Sequence, residues 1–330
     1  MIVFLHSSGH GYTHAAVKTA AAPLRVEVAP YAHAFGFAEL PRATYVFTDC
    51  DRLSAGERRV AAALYRCLRD GGVRVLNDPA RIPSRFGLLR ALHDRGINAF
   101  NAYRVEEGVR PQRWPVFLRE EGGHELPLSG LLADWASVET AVEAAIANGH
   151  SLPNLVLIEY AGEPVAPGLF RRLSAYRVGE ARFAALCVHD DQWLVKTGKM
   201  GIATDDLYRD EQRIARQHPY CAAVDPVFEA FGIEYGRLDF GLLAGVPQVF
   251  EINTNPTVKF PAEHPNPIRV DTYGVVNANY LAALAGIDSL DHGAPIRIAS
   301  PLLAPAQEYA AAVQAELARH QSLRSLTRSP

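Results

Sequence analysis

The chain has little of what marks secreted, membrane or nucleic-acid-binding proteins. Its four cysteines, Cys50, Cys67, Cys187 and Cys221, are scattered and form no C-x-x-C pair. That argues against a disulfide framework or a thiolate zinc site and for reduced thiols in a cytoplasmic protein. No apolar run approaches the ~18 residues of a spanning helix, so no membrane contact is expected. The opening MIVFLHSSGH enters a strand directly, without the basic and long apolar regions of a signal peptide. The formal net charge is only −3, which gives no whole-chain field for nucleic acid or acidic lipid. There is no internal repeat. Asp205, Asp206, Asp210 and Glu211 lack the spacing and central glycine of an EF-hand, so 197–211 reads as a solvated loop leading to a helix.

What is present is apolar residue in quantity. Hydrophobic residues make up 48% of the 330 positions, ample for the cores of two or three domains. In the first eighty residues strand and helix signals alternate. Ile2–Leu5, Leu24–Val28, Thr44–Phe47 and Val73–Leu76 read as strands. Ser54 and Glu57 form a capping-box pattern for a helix that Gly71-Gly72 stops. Such alternation predicts a parallel sheet. Ser7, Ser8 and His10 follow the first strand, at the end where open α/β sheets bind ligands, and are substrate-site candidates.

Farther along, a turn at Asn77–Pro79 leads to a helix over Ser84–Arg95. Strands are expected at Trp114–Arg119, Leu155–Tyr160, Leu169–Val178, Arg182–Val188 and Trp193–Lys196. Glu120–His124 is a glycine-containing mobile loop. Helices are expected over Tyr273–Leu284 and Leu302–Arg319, and 322–330 reads as a frayed tail.

The densest chemistry lies in RLDFGLLAGVPQVFEINTNP, from Arg237 to Pro256. Leu238, Phe240 and Leu242 alternate with Asp239 and Gly241, a period-2 strand. Gly245–Pro247 is the expected turn, and Val249, Phe250 and Ile252 belong to the return strand. Glu251 and Asn253, two apart, share a face. Joined as a hairpin, the two strands bring together Asp239, Glu251 and Asn253, oxygen ligands of the kind Mg²⁺ takes beside substrate phosphates.

This hairpin resembles the metal-binding end of the ATP-grasp ligases, especially the D-alanine–D-alanine ligase type, in its R-x-D strand (Arg237, Asp239) and its E-x-N-x-N-P strand (Glu251, Asn253, Asn255, Pro256). The resemblance implies an α/β chain: an N-terminal parallel α/β domain preceding the ATP-grasp fold (1–80), a small ATP-grasp subdomain (81–160), a large one carrying the metal hairpin (161–300), and a C-terminal helix and tail (301–330). It implies ATP and Mg²⁺ as cofactors (two ions, with Mn²⁺ an acceptable substitute), the metal held by Asp239, Glu251 and Asn253. Arg85 and Arg119 stand where relatives carry ATP-binding lysines, a change that keeps the charge but adds a bidentate fork. Glu159, Tyr160 and Ala161 occupy the adenine-side hinge, and Lys196, with Arg177 as an alternative, faces the phosphates. Glu120–His124 stands where relatives close a lid over the phosphates.

By the same resemblance, Arg237 would steady the phosphoryl group in an ATP-dependent carboxylate–amine ligase working through an acyl phosphate on small amino-acid-like substrates. Its partners are then a small-molecule carboxylate and amine, and a homodimer is compatible. A kinase or thiol ligase on the same scaffold, or a regulatory ATP-binding protein without turnover, are the alternatives. Thr257-Val258-Lys259 departs from the glycine-containing end of D-alanine–D-alanine ligase, which weakens the case for that substrate.

Overall fold

The computed structural model describes residues 1–123, 125–289 and 293–326, with side chains described as far as residue 317. His124 of the expected mobile loop and 327–330 of the expected tail lie outside the described residues. The first part runs β1 (Ile2–His6), α1 (Ala15–Ala20), β2 (Val26–Pro30), α2 (Tyr31–Phe35), β3 (Glu39–Leu40), β4 (Thr44–Phe47), α3 (Ala55–Asp70) and β5 (Val75–Leu76). Four of its strands form a parallel sheet in the order β2-β1-β4-β5. Every residue of β1 and β4 is buried, as expected of parallel strands covered on both faces. Ser54 and Glu57 close the anticipated capping box on α3, and Gly71 caps its end.

Next come α4 (Arg85–Asp94), β6 (Ala102–Arg104), β7 (Val116–Glu120), α5 (Trp135–Ala147) and β8 (Leu155–Glu159). The three strands make an antiparallel sheet with β8 in the middle. The remainder holds β9 (Pro164–Ala166), β10 (Leu169–Val178), β11 (Ala181–Ala184), β12 (Val188–Asp190), α6 (Asp205–Gln217), α7 (Cys221–Phe231), β13 (Tyr235–Leu243), β14 (Val246–Asn253), α8 (Pro267–Ile287), β15 (Ile296–Arg297) and α9 (Ala304–Leu326). Here an antiparallel sheet runs β11-β10-β13-β14, with β9 and β12 also on β10. β15 returns to pair with β3.

Buried Asn77 ties the parallel sheet to this second sheet. Its side-chain amide donates to the carbonyls of Phe47 and Tyr235 and accepts from the N–H groups of Glu234 and Tyr235. Its φ of 66° is a left-handed conformation that asparagine tolerates better than most residues.

Several expectations need correction. Trp193–Lys196 forms bends rather than a strand. The Arg182–Val188 strand is broken into β11 and β12. The 197–211 loop ends early: Thr204 caps α6 by accepting from Leu207 N–H, with Asp205 and Asp206 at the favourable end of the helix dipole. Glu211 is not solvated but fully buried, bonded to Arg269 (2.8 Å) and to the Cys187 N–H (2.7 Å). α9 runs through Ser322 to Leu326, where a frayed tail was expected.

Candidate functional site

The hairpin β13–β14 owes its chemistry to one extra residue. From the turn, Leu243 pairs with Val246, Leu242 with Pro247, Gly241 with Gln248 and Phe240 with Val249. The register then shifts, so that Asp239 pairs with Glu251, Leu238 with Ile252 and Arg237 with Asn253. Phe250 is the bulge residue. Simple alternation would put Val249 and Glu251 on the same face. The bulge changes the phase, so Val249 and Ile252 lie opposite the buried Phe240 and Leu238, while Glu251 and Asn253 lie opposite Asp239 and Arg237. The turn itself is Ala244-Gly245, both with positive φ, rather than Gly245–Pro247. Pro247 is tolerated because β14 is the sheet's edge strand. Gly241 leaves room for the bulged ring, since a Cβ there would come within 2.8 Å of Phe250 Cζ.

On that face the charges are tightly paired. Arg237 donates to both carboxylate oxygens of Asp239, Nε to Oδ1 at 2.7 Å and Nη2 to Oδ2 at 2.9 Å. Arg172, on β10, approaches Asp239 Oδ2 at 3.6 Å. Burial pushes the Asp239 pKa up, but Arg237 and Arg172 outweigh it and hold the carboxyl below its ordinary range. For Arg237, burial alone would lower the pKa; the Asp239 carboxylate reverses the sign and keeps the guanidinium charged. Arg85 reaches Glu251 Oε2 at 2.9 Å and the Gly123 carbonyl at 3.0 Å. Arg119 donates to the same Gly123 carbonyl at 2.9 Å and to that of Glu125 at 3.1 Å. Burial, reinforced by the charge of Arg85, lowers the Arg119 pKa to about 10, which still leaves it protonated at neutral pH.

These side chains border a cavity of 510 Å³. It brings together Arg85, Arg119, Glu159, Tyr160, Ala161, Lys196, Arg237, Asp239, Glu251 and Asn253, which were picked out separately along the sequence. Among the described residues its lining holds seven lysines and arginines against five acids. Arg119 Nε and Arg172 Nε are buried there without a hydrogen-bond partner among the described residues. Buried N–H groups rarely stay unmade, so two orphaned guanidinium donors in one cavity suit an anionic ligand with many oxygens. One wall is aromatic: Trp193 lies 5.1 Å from Phe117 and 5.4 Å from Tyr160, between ring centroids, with Ile158, Leu89 and Phe250 nearby in the lining. A flat heterocycle suits such a wall.

Two of the expected nucleotide contacts already have partners within the fold. Glu159 borders the cavity, yet its buried carboxylate accepts from Asn101 N–H, Tyr103 Oη, Gln112 N–H and Arg113 N–H, so it is committed to the fold. Tyr160 N–H donates to the Pro115 carbonyl at 2.9 Å and is not left for a ligand. Arg177 does not line the cavity; it is buried on the other face of β10, donating to the Gly179 carbonyl at 3.3 Å. Arg52, Arg172 and Trp193 were missed. Arg172 was legible in principle, being two residues from Ser174, which pairs with Asp239.

A smaller cavity of 230 Å³ adjoins the first and shares Arg52, Arg85, Glu251, Asn253 and Thr257 with it. Of the substrate candidates, His10 lines it; Ser7 and Ser8 do not. Ser7 acts behind the wall, its hydroxyl bonded to Asp49 and, at 2.8 Å, to His10 Nδ1. Ser8 is exposed. Asp49, buried and unrecognised in the sequence, also accepts from Ser7 N–H at 3.2 Å and pairs with Arg52 at 3.1 Å.

Asp239, Glu251 and Asn253 fit a hard cation by their chemistry. They are all-oxygen donors, at paired or neighbouring register positions on one face of the hairpin. Each carboxylate oxygen has lone pairs beyond those its arginine uses, and the Asn253 amide oxygen, which accepts the Asn255 N–H at 2.8 Å, has a second. Among the described residues there is no cluster of three or more His, Cys, Asp or Glu side chains that would make an all-protein metal cage. A set of two carboxylates and an amide suits Mg²⁺, which completes its shell with water and phosphate.

No family model and no curated protein matches the chain. Solved structures similar to it include D-alanine–D-alanine ligase from Bacillus anthracis (14% identity, 87% of this chain and 97% of that one, TM-score 0.49). VanG D-Ala:D-Ser ligase from Enterococcus faecalis is another (12% identity, 87% and 98%, TM-score 0.48). A RimK domain ATP-grasp protein from Sphaerobacter thermophilus DSM 20745 is a third (17% identity, 85% and 100%, TM-score 0.43). At these identities and scores the likeness assigns neither a reaction nor a residue role to this chain.

Proposed function

We propose that this chain is an ATP-dependent carboxylate–amine ligase of the ATP-grasp type, joining small amino-acid-like substrates. The observation that carries the reading is the bulged hairpin. It sets Asp239, Glu251, Asn253 and Arg237 on one face of a cavity rich in arginine and walled on one side by aromatic rings. ATP matches each part: its purine suits the wall of Trp193, Phe117 and Tyr160, and its phosphates suit Arg85, Arg119, Arg172 and Lys196. Asp239, Glu251 and Asn253 would hold Mg²⁺, with Mn²⁺ as a substitute; when bound, such a cation neutralises charge on the phosphates and on the transferred group.

A carboxylate resists attack by an amine because oxide is an impossible leaving group. Transfer of the γ-phosphoryl group to a carboxylate oxygen breaks the bond to ADP and gives an acyl phosphate, whose leaving group is phosphate. The amine then forms the C–N bond as the C–O bond to phosphate breaks. Arg237, locked in its rotamer by both oxygens of Asp239, presents a fixed positive charge to the phosphoryl group in flight and needs no reorganisation to do so. Arg119 and Arg172 offer the orphaned donors that the phosphates would satisfy. On this reading 1–80 is a preceding α/β domain, 81–160 and 161–300 are the two subdomains that clasp the nucleotide, and 301–330 is a terminal helix and tail.

The direct test offers the protein ATP, Mg²⁺ and pooled amino acids, with phosphate release followed by mass spectrometry of products. The expected result is ADP, phosphate and an amide, formed only when carboxylate and amine are both present. A phosphorylated final product would make the protein a kinase, and nucleotide binding without turnover would make it a regulatory protein.

A further inference from the structure

The smaller cavity is lined by a histidine that a serine ties to a buried carboxylate. His10 Nδ1 lies 2.8 Å from Ser7 Oγ and 3.3 Å from Asp49 Oδ2. Asp49 is 2% exposed, and its carboxylate also holds the Ser7 hydroxyl and Arg52. The imidazole is thus held at one nitrogen by the Ser7 hydroxyl, which a buried carboxylate fixes in turn. Because the Ser7 hydroxyl donates to Asp49, His10 Nδ1–H donates to Ser7 Oγ, and Nε2 is the acceptor on the other edge of the ring. The ring lines the cavity that also borders Glu251 and Asn253.

The loop bearing His10 is anchored to the segment after the metal-binding hairpin. Thr13 Oγ1 donates to Asn255 Oδ1 at 2.8 Å, and the Val258 N–H donates to the Thr13 carbonyl at 2.8 Å. Thr13 Oγ1 also lies 2.9 Å from the His10 carbonyl. Asp49 itself takes a left-handed conformation, φ 57°, uncommon for a residue other than glycine. Such a conformation persists where the surroundings impose it. Here it lies at the end of β4, beside a cavity to which His10, Asp49 and Arg52 all contribute.

From this geometry we infer that His10 is the general base that takes the proton from the attacking amine, with Asp49 as its positioning residue, and that the smaller cavity receives the amine. The inference rests on the ligase reading above. The amine enters as its free base and attacks the acyl carbon. The nitrogen loses a proton to His10 Nε2, the C–O bond breaks with its electron pair on phosphate, and the proton passes from the imidazolium to phosphate or water. A base held in place contributes about 10²- to 10⁴-fold to such a step.

Hydroxylamine separates this step from phosphoryl transfer, because it is largely unprotonated at neutral pH and attacks acyl phosphates without a base. With ATP, Mg²⁺ and pooled amino acids as carboxylate source, wild-type protein is expected to form amides, and hydroxamates when hydroxylamine is added. His10→Gln, on a part-exposed side chain, is expected to lower the amide-to-hydroxamate ratio at least about 100-fold. Asp49→Asn, which tolerates the same backbone conformation, should lower the ratio in the same direction by less. An unchanged ratio in His10→Gln, including a variant that loses both products equally, overturns the role of His10 and leaves the ligase reading in place. Wild-type protein that forms neither product overturns both.

Discussion

The two adjoining cavities share five residues, yet the chemistry singled out in each is placed differently. To the larger one a single hairpin contributes Arg237, Asp239, Glu251 and Asn253, which are close in sequence and spaced by strand geometry, beside residues from many other elements. In the smaller one the end of β14 meets the loop after β1, the loop after β4, the start of α4, the glycine-containing loop after β7 and the segment after β14. Chemistry placed on one local element can be read from its periodicity. Chemistry placed by the meeting of distant loops depends on the fold that brings them together.

The largest effect that would sharpen this contrast is at the hairpin. Glu251→Gln keeps the shape of the side chain, leaves Arg85 a hydrogen-bond acceptor and removes one charge from the proposed metal set. Turnover is expected to fall at least ~10²-fold with the circular dichroism spectrum and melting temperature little changed. Turnover near the wild-type rate at saturating Mg²⁺ would remove Glu251 from the site.

A smaller effect is expected at the aromatic wall. Trp193→Ala removes a ring packed against Phe117 and Tyr160. Loss of about 1.4 kcal/mol of stacking and burial corresponds to an ATP KM about tenfold higher, with kcat within about twofold. A change confined to kcat would show that the purine lies elsewhere.

The gentlest test concerns the joint under the smaller cavity. His14 is buried, stacked on Phe4 and bonded to Tyr235 Oη at 2.6 Å at the start of β13. Burial, and secondarily the charge of His6, lowers its pKa to about 3 from 6.5. Its stabilising effect is therefore complete above about pH 6.5 and is lost as pH falls, because the unfolded chain takes up a proton that the folded chain refuses until about pH 3. The slope is about 1.4 kcal/mol per pH unit across that window. Urea denaturation of His14→Gln between pH 4 and 7 should show a flatter pH dependence than wild type. Equal slopes would place the acid sensitivity in another group.

Much of the architecture was legible. Thr44–Phe47 and Leu169–Val178 were read to the residue, and Ser54 with Glu57 announced α3, because those signals are local. Arg237, Asp239, Glu251 and Asn253 were legible as a group for the same reason. The bulge was not: Phe250 reads as one more apolar strand residue, and only the pairing with β13 reveals the phase change. Trp193 was read as part of a strand, whereas its ring packs against Phe117 and Tyr160 in the cavity wall. Glu159 looked like a ligand contact because it ends a strand at the right place, but four hydrogen bonds from Asn101, Tyr103, Gln112 and Arg113 claim it. Asp49 gave no signal, since its partners Ser7 and His10 are some forty positions away.

The measurement that bears most directly on the central claim follows an oxygen atom. Pooled amino acids labelled with ¹⁸O in the carboxylate are incubated with ATP, Mg²⁺ and the protein, and the label is located by mass spectrometry. Transfer through an acyl phosphate moves one carboxylate oxygen into the released phosphate, with ADP as the nucleotide product. Label found in AMP, or kept entirely in the organic product, would contradict the account.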